Sequence, residues 1–343
     1  MRLTRLLAVV LPAFVWSTAP AAAQSVLPQH SVVVEDLDFN AKDDGYRLYL
    51  RNKHPDDYYS PKPERTVLFL HGATFPGSAT FDLALDGGSW MDYLARRGYD
   101  VYALDLRGYG KSTRPPQMGE PAEANPPLVT GETALRDVSK AVDFILSRRS
   151  LEKLVVVGWS WGATLAGSYA AEASGRVERL VLYSPQWLRD DVPPADALAK
   201  LGAWRIVPLA TLRDRWVREV PDKERRDLIG DQAIAAFMTA LEAADSEQGA
   251  LKVPNGAVAD VLTHWAQGKP MWSPARISAP TLVIQGEWDV ETPPDMGLSV
   301  FAALTGTTAK RYVMVGEGTH TLMLEKNRRH LYRAVQSFLE ETF

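Results

Sequence analysis

Ser160 stands at the centre of Gly158-Trp159-Ser160-Trp161-Gly162, a G-x-S-x-G pentapeptide in which a strained turn presents a hydroxyl as a nucleophile. A serine hydroxyl attacks a carbonyl poorly at neutral pH, so the chemistry needs a base and a group to orient that base. Two later loops carry the right types. Glu287-Trp288-Asp289 follows the apolar run 280–286, and Gly316-Glu317-Gly318-Thr319-His320 follows the run 311–315. Asp289 is read as the acid, with Glu287 two residues away as the alternative, and His320 as the base. Of the six histidines, His30 lies just past a leader, His54 in a Pro/Asp-rich turn, His264 in a mid-chain helix and His330 in the terminal helix. His71 ends a strand, but it precedes the serine.

These residues need a scaffold that ends strands in loops on one side. Leu154-Val155-Val156-Val157 reads as a buried strand running into the pentapeptide, and Ala163 to Ala170 reads as the helix that leaves it. Small residues at 158 and 162 are required where strand and helix pass closely. Strands at 66–71, 100–105, 154–158, 177–183, 280–285 and 310–315 alternate with helices near 88–97, 131–147, 161–173, 294–304 and 328–342. Such alternation predicts an α/β fold: a mainly parallel, doubly wound sheet with right-handed crossovers. Segments 31–39 and 46–51, around Asp43-Asp44-Gly45, read as an edge hairpin. Between 184 and 278 the rhythm stops, and 195–218 and 223–245 look helical. The expected organisation is a leader at 1–23, core at 24–184, an inserted helical cap at 185–278, and core again at 279–343.

From about Val32 onward the chain resembles the α/β-hydrolase superfamily. The resemblance rests on the pentapeptide, the acid loop and the histidine loop, with two more segments beside them. Thr66-Val67-Leu68-Phe69-Leu70-His71-Gly72 resembles the strand and His-Gly turn that build the family's oxyanion hole, and Asp105-Leu106-Arg107-Gly108-Tyr109-Gly110-Lys111-Ser112 resembles its D-x-R-G-x-G-x-S segment. The resemblance implies Ser160 as nucleophile, His320 as base and Asp289 as orienter. It implies oxyanion donors from the backbone N–H of Trp161 and of Ala73 or Thr74, with His71 a structural brace. Gly110-Lys111-Ser112 also ends like a phosphate-binding P-loop, but Asp105 stands where the first glycine belongs and Pro115-Pro116 blocks the following helix.

The same resemblance leaves activities open. Carboxylic ester or lactone hydrolysis comes first. A tryptophan after the serine is similar to prolyl iminopeptidases, whose cap acids bind the substrate amine; Asp190, Asp191, Glu219, Glu242 and Asp245 are available, with solvated surface as the plainer reading. Cofactor-free haloperoxidase chemistry uses the same triad, whereas epoxide hydrolases and dehalogenases carry aspartate where this chain has Ser160. A non-catalytic binding protein of this fold would not need all three groups intact.

Composition narrows the field. The chain has 343 residues, 46% of them hydrophobic, enough for one large core with an insertion. Met1-Arg2-Leu3-Thr4-Arg5, an apolar stretch from Leu6 to Trp16 and small residues up to Ala23 read as a secretory signal peptide cleaved after Ala23. A periplasmic or secreted enzyme is expected, with no stable membrane anchor after cleavage. With no cysteine there are no disulfides and no thiol catalysis. A net charge of −4 makes nucleic acid an unsuitable partner. Neither a cofactor nor a metal is expected, and residue order leaves the oligomeric state open. Of ten tryptophans, Trp159, Trp187 and Trp288 are expected to bind substrate, with the Trp161 ring also facing the site. The expected partner is a small-molecule ester, apolar rather than charged.

Overall fold

β-branched and aromatic runs form the strands, and they fall in chain order as β1 (Val32–Asn40), β2 (Arg47–Pro55), β3 (Thr66–Leu70), β4 (Asp100–Asp105), β5 (Leu154–Trp159), β6 (Val177–Tyr183), β7 (Trp204–Pro208), β8 (Ala250–Pro254), β9 (Thr281–Gly286) and β10 (Lys310–Val315). The computed structural model describes residues 30–343 apart from 44, 190–192, 195, 219 and 245–248. The expected leader at 1–23 lies outside the described residues, as do Asp190, Asp191, Glu219 and Asp245.

Eight strands make one sheet in the order β1-β2-β4-β3-β5-β6-β9-β10. β1, β2 and β4 pair antiparallel, and every pairing from β4 to β10 is parallel. β3, β4 and β5 are buried at every position, as central parallel strands covered on both faces must be. The helices are α1 (Gly77–Phe81), α2 (Trp90–Ala95), α3 (Gly131–Arg149), α4 (Trp161–Glu172), α5 (Leu212–Trp216), α6 (Arg225–Leu228), α7 (Asp231–Ala244), α8 (Gly256–Thr263), α9 (Pro294–Ala303) and α10 (Arg328–Leu339). α3 shows why they pack. Ala134, Val138, Ala141, Val142 and Ile145 recur at spacings of three and four and are all buried. α2 starts on a capping box, with Ser89 and Asp92 satisfying each other's backbone N–H groups.

The mainly parallel α/β fold thus matches the expectation, and so do the edge hairpin and the core strand positions. The insertion between β6 and β9 differs. It is not all helical: Trp204–Pro208, expected inside a helix, is β7, paired antiparallel with β8 in a separate two-stranded sheet. β7 has its β-branched pair Ile206-Val207 flanked by Trp204 and Pro208, and its partner lies some forty residues on, so no local periodicity announces it. His54, expected in a turn, sits in β2 with Nε2 3.2 Å from Glu35.

Candidate active site

The loops after β3, β5, β9 and β10 converge on one cavity of about 320 Å³, at the carboxyl edge where open α/β sheets place their ligands. Gly72, Ala73, Thr74, Ser160, Trp288, Thr292, Thr319 and His320 all line it. The insertion covers it from above through Gln186, Arg205, Leu212, Arg215, Trp216, Val258 and Val261.

Ser160 occupies the turn between β5 and α4 with φ +57° and ψ −122°, a conformation costing a non-glycine residue on the order of 1–3 kcal/mol. The surrounding bonds hold it there. Its N–H donates to Tyr183 O (2.9 Å), and its carbonyl accepts the Ala163 N–H (2.9 Å). A Cβ at Gly158 would lie 2.2 Å from Gly162 O, and one at Gly162 would lie 2.2 Å from Leu70 O. Only glycine lets strand, helix and the neighbouring β3 end approach this closely.

His320 Nδ1 lies 2.9 Å and 3.0 Å from the two Asp289 oxygens. An ionised carboxylate only accepts, so Nδ1 carries the proton and Nε2 is the basic nitrogen. Asp289 is fixed in turn by the Thr292 N–H (2.9 Å), the Thr292 hydroxyl (3.0 Å) and the Glu291 N–H (3.1 Å). Burial alone would raise the Asp289 pKa, but the His320 charge and these hydrogen bonds outweigh it and hold it below the usual carboxylate value. Burial would likewise lower the His320 pKa, and the Asp289 charge and hydrogen bond reverse that and raise it. Glu287, the alternative acid, is exposed and accepts the Glu317 N–H at 3.0 Å.

His71 is buried, and burial pushes its pKa down to about 4. The neutral ring donates from Nδ1 to Gly72 O (2.7 Å) and accepts at Nε2 from the Leu106 N–H (3.2 Å). Leu106 belongs to the D-x-R-G segment, itself tied down by Asp105, which accepts from Ser78 N–H (2.8 Å) and Lys111 N–H (3.1 Å), and by Arg107 on Asp137 (2.8 Å). The arrangement orients the turn after β3. In a trans peptide the carbonyl and N–H point opposite ways, so holding Gly72 O toward His71 aims the Ala73 N–H away from it. The Ala73 carbonyl is held separately, by Arg205 (2.9 Å) and the Tyr109 hydroxyl (3.1 Å), which turns the Thr74 N–H from those groups.

Not every expected residue reaches the cavity. Trp159 and Trp288 line it, and the Trp159 ring stacks against Phe75 with centroids 6.3 Å apart. Trp187 does not line it: its ring packs against Trp265 (5.4 Å) and Trp272 (5.3 Å), and Trp272 in turn fills the space beside Gly167 of α4. Three indoles thus cement the base of the insertion onto the core. The Trp161 ring is also turned away. It is fully buried, with Nε1 donating to Asp260 of α8 at 2.7 Å, so only its backbone remains a candidate for the site. The cavity is not purely apolar either, because Arg189, Arg205, Arg215 and Glu291 line it. Sequence reasoning passed over these charges. A single arginine inside Trp204-Arg205-Ile206-Val207-Pro208 is the one signal that could have marked a buried cation.

Two cap residues in succession are latched to the core. Arg215 meets Glu291 with two bonds of 3.0 Å, and Trp216 Nε1 donates to Glu325 Oε1 at 2.7 Å. Glu325 also accepts from the Thr319 N–H (3.1 Å) and hydroxyl, beside His320. Burial pushes its pKa up from 4.5 to about 7, against those hydrogen bonds and with the help of the Asp289 charge. Between these values the folded state holds a proton that the unfolded chain has released, so stability should fall as pH rises from 4.5 to 7, by on the order of 3 kcal/mol. Glu325→Gln, neutral throughout, should flatten that part of a melting-temperature profile relative to the wild type. Parallel profiles in the two proteins would show that Glu325 is not the titrating group.

Sheet order, elbow strain and a carboxylate-bound imidazole over one cavity define a hydrolase of the α/β class. The chain belongs to the alpha/beta hydrolase fold family, which its residues 65–327 match. It is 34% identical over 122 residues to epoxide hydrolase 3 of Siraitia grosvenorii, covering 36% of this chain and 33% of that protein. It is 26% identical over 194 residues to the lysosomal acid lipase/cholesteryl ester hydrolase of Macaca fascicularis, covering 55% and 44%. Matches to the curated relatives therefore span less than half of their length. Among solved structures, the enol-lactonase from Burkholderia xenovorans LB400 superposes with a TM-score of 0.61 at 17% identity, over 89% of this chain and all of that one, a likeness of fold.

Proposed function

We propose that this chain is a serine hydrolase that cleaves a carboxylic ester or lactone of a small molecule with an apolar body. The observation that carries the reading is the Asp289–His320 pair beside Ser160 on the wall of a cavity that also holds the turn after β3. Ser160 Oγ attacks the carbonyl carbon as His320 Nε2 takes its proton. The tetrahedral oxyanion rests on the N–H groups of Trp161 and Ala73, His71 having turned the Ala73 peptide for the task. His320 then delivers the proton to the leaving alkoxide, and the acyl-enzyme is released by water through the same steps. Phe75, Trp159, Leu212, Trp216, Val261 and Trp288 provide the apolar wall.

Arginines in the cavity oppose the iminopeptidase alternative. A substrate ammonium would meet the Arg205 guanidinium, and Glu291 is already engaged by Arg215. Glu242 is exposed and does not line the cavity. Epoxide opening in that family's manner needs a carboxylate nucleophile, and the elbow residue is a hydroxyl. We place the enzyme outside the cytoplasm on the leader at residues 1–23; among the described residues no helix is long and apolar enough to cross a membrane.

A substrate panel tests the reading. Short-chain nitrophenyl esters and lactones should be turned over, with kcat/KM at least about tenfold above that for amino-acid anilides. Anilides cleaved faster than esters would overturn the assignment in favour of a peptidase.

A further inference from the structure

Arg205 enters the catalytic cavity from β7 carrying a charge that no carboxylate among the described residues meets. Its Nη1 donates to Pro254 O (2.8 Å) and Asn255 Oδ1 (3.2 Å), and its Nη2 to Ala73 O (2.9 Å) and Thr74 Oγ1 (3.4 Å). All four acceptors are neutral. Several other part-buried or buried guanidiniums meet carboxylates, although Arg97 rests on the Tyr93 carbonyl and ring. Arg107 meets Asp137 and Asp43, Arg149 meets Asp100, and Arg51 meets Asp36 and Asp82. Within the cavity itself Arg215 is matched by Glu291. Burial disfavours the Arg205 cation, and the nearby Arg215 charge adds to the penalty, yet a guanidinium does not lose its proton in a protein. A partly desolvated charge left without a counter-ion is costly, and such groups are retained where a ligand supplies the missing charge.

We propose that Arg205 is the anion-binding subsite of the cavity and that the natural substrate carries a carboxylate as well as the scissile ester or lactone bond. The four neutral acceptors occupy both Nη groups of Arg205, so a carboxylate approaches side-on, taking the Nε–H together with one Nη2 hydrogen. The contact it displaces, from Nη2 to Thr74 Oγ1 at 3.4 Å, is the longest of the four. The Arg205 contact with Ala73 sets the anion close to the oxyanion turn, so the substrate is compact: a half-ester of a short dicarboxylic acid, or a lactone bearing one carboxylate. The apolar wall takes the rest of the molecule. The proposal rests on the serine-hydrolase reading and replaces the uncharged substrate that residue order suggested with one anionic at one end.

Mono-(4-nitrophenyl) glutarate and 4-nitrophenyl pentanoate share chain length and leaving group and differ in the terminal carboxylate, so the ratio of their kcat/KM values isolates the charge. The wild-type protein is expected to prefer the glutarate by about tenfold or more, the scale of one charge-assisted hydrogen-bonded contact. Arg205→Gln should cut that ratio by about 10- to 100-fold, chiefly through KM, and Arg205→Lys should restore part of it. A role limited to bracing Ala73 would lower both substrates together and leave the ratio unchanged, which overturns the proposal. Should the glutamine variant not fold, a wild-type preference for pentanoate overturns it alone, and a glutarate preference that weakens at high salt supports it. Labelling with a fluorophosphonate separates the two levels. A labelled Ser160 without anionic preference removes the subsite and leaves the hydrolase, whereas an unlabelled, inactive protein removes both.

Discussion

Ser160→Ala should lower kcat toward nitrophenyl esters by about 10⁵- to 10⁶-fold and abolish labelling by a fluorophosphonate, while leaving the melting temperature within a few degrees of the wild type. The size of the loss follows from the geometry. Every later step of His320 and Asp289 acts on the acyl-enzyme route that the Ser160 hydroxyl opens, so deleting it strands both, and what remains is binding and oxyanion stabilisation around a water that no covalent step replaces. The small effect on stability follows as well. Alanine keeps the Cβ that packs 3.2 Å from the position a Gly72 side chain would take, and it removes one hydroxyl from the cavity wall without touching the Tyr183 and Ala163 backbone bonds that hold the elbow. Alanine is no more comfortable than serine at φ +57°, so the strain stays and the fold has already absorbed it. Equal turnover by wild type and variant would sink the nucleophile assignment, and a wild-type protein that binds but never turns over an ester would make the chain a binding protein of this fold.

How far the sequence could be read depended on whether a feature was local. β5, the elbow and α4 are contiguous, and their β-branched run, paired glycines and small-residue helix state the structure outright. Asp289 and His320 could be picked because each follows, within five residues, a strand with a short apolar stretch, Leu282–Ile284 and Tyr312–Val315. The insertion resisted for the opposite reason. β7 and β8 stabilise each other across a long excursion, so neither carries its own signal, and Trp204–Pro208 was read as helix. Tryptophan counts misled in the same way. Trp187 and Trp161 are as large and apolar as Trp159, and only tertiary contacts decide that the first packs on Trp265 and Trp272, the second reaches Asp260, and the third faces the cavity. Charges in the cavity were hidden most thoroughly. Arg205 stands out neither by type nor by spacing; its meaning comes from the carboxylate that is missing around it among the described residues, and such an absence is invisible in one dimension.

Asp289→Asn is the variant that separates orientation from nucleophilicity, with an expected loss of about 10⁴-fold in kcat. The carboxylate accepts from His320 Nδ1 at 2.9 Å and so selects the tautomer whose Nε2 can receive the serine proton. An asparagine can turn its amide NH₂ toward the ring, which favours the other tautomer and presents a protonated Nε2 to a hydroxyl it can no longer deprotonate. Charge matters separately. Burial lowers the His320 pKa and the Asp289 carboxylate, helped by Glu291, raises it above the usual 6.5, so the wild-type acid limb of kcat/KM should lie above that value. Removing the Asp289 charge leaves burial as the larger influence. The acid limb of the residual activity should then move to lower pH, while the loss at its plateau persists. Glu287→Gln serves as the contrast, since the Glu287 side chain is exposed and accepts the Glu317 N–H, and its effect should stay within about threefold. Loss of activity in Glu287→Gln with Asp289→Asn intact would reverse the assignment of the acid. A 10⁴-fold loss in Asp289→Asn with an unmoved acid limb would assign the titration to another group and leave Asp289 with orientation alone.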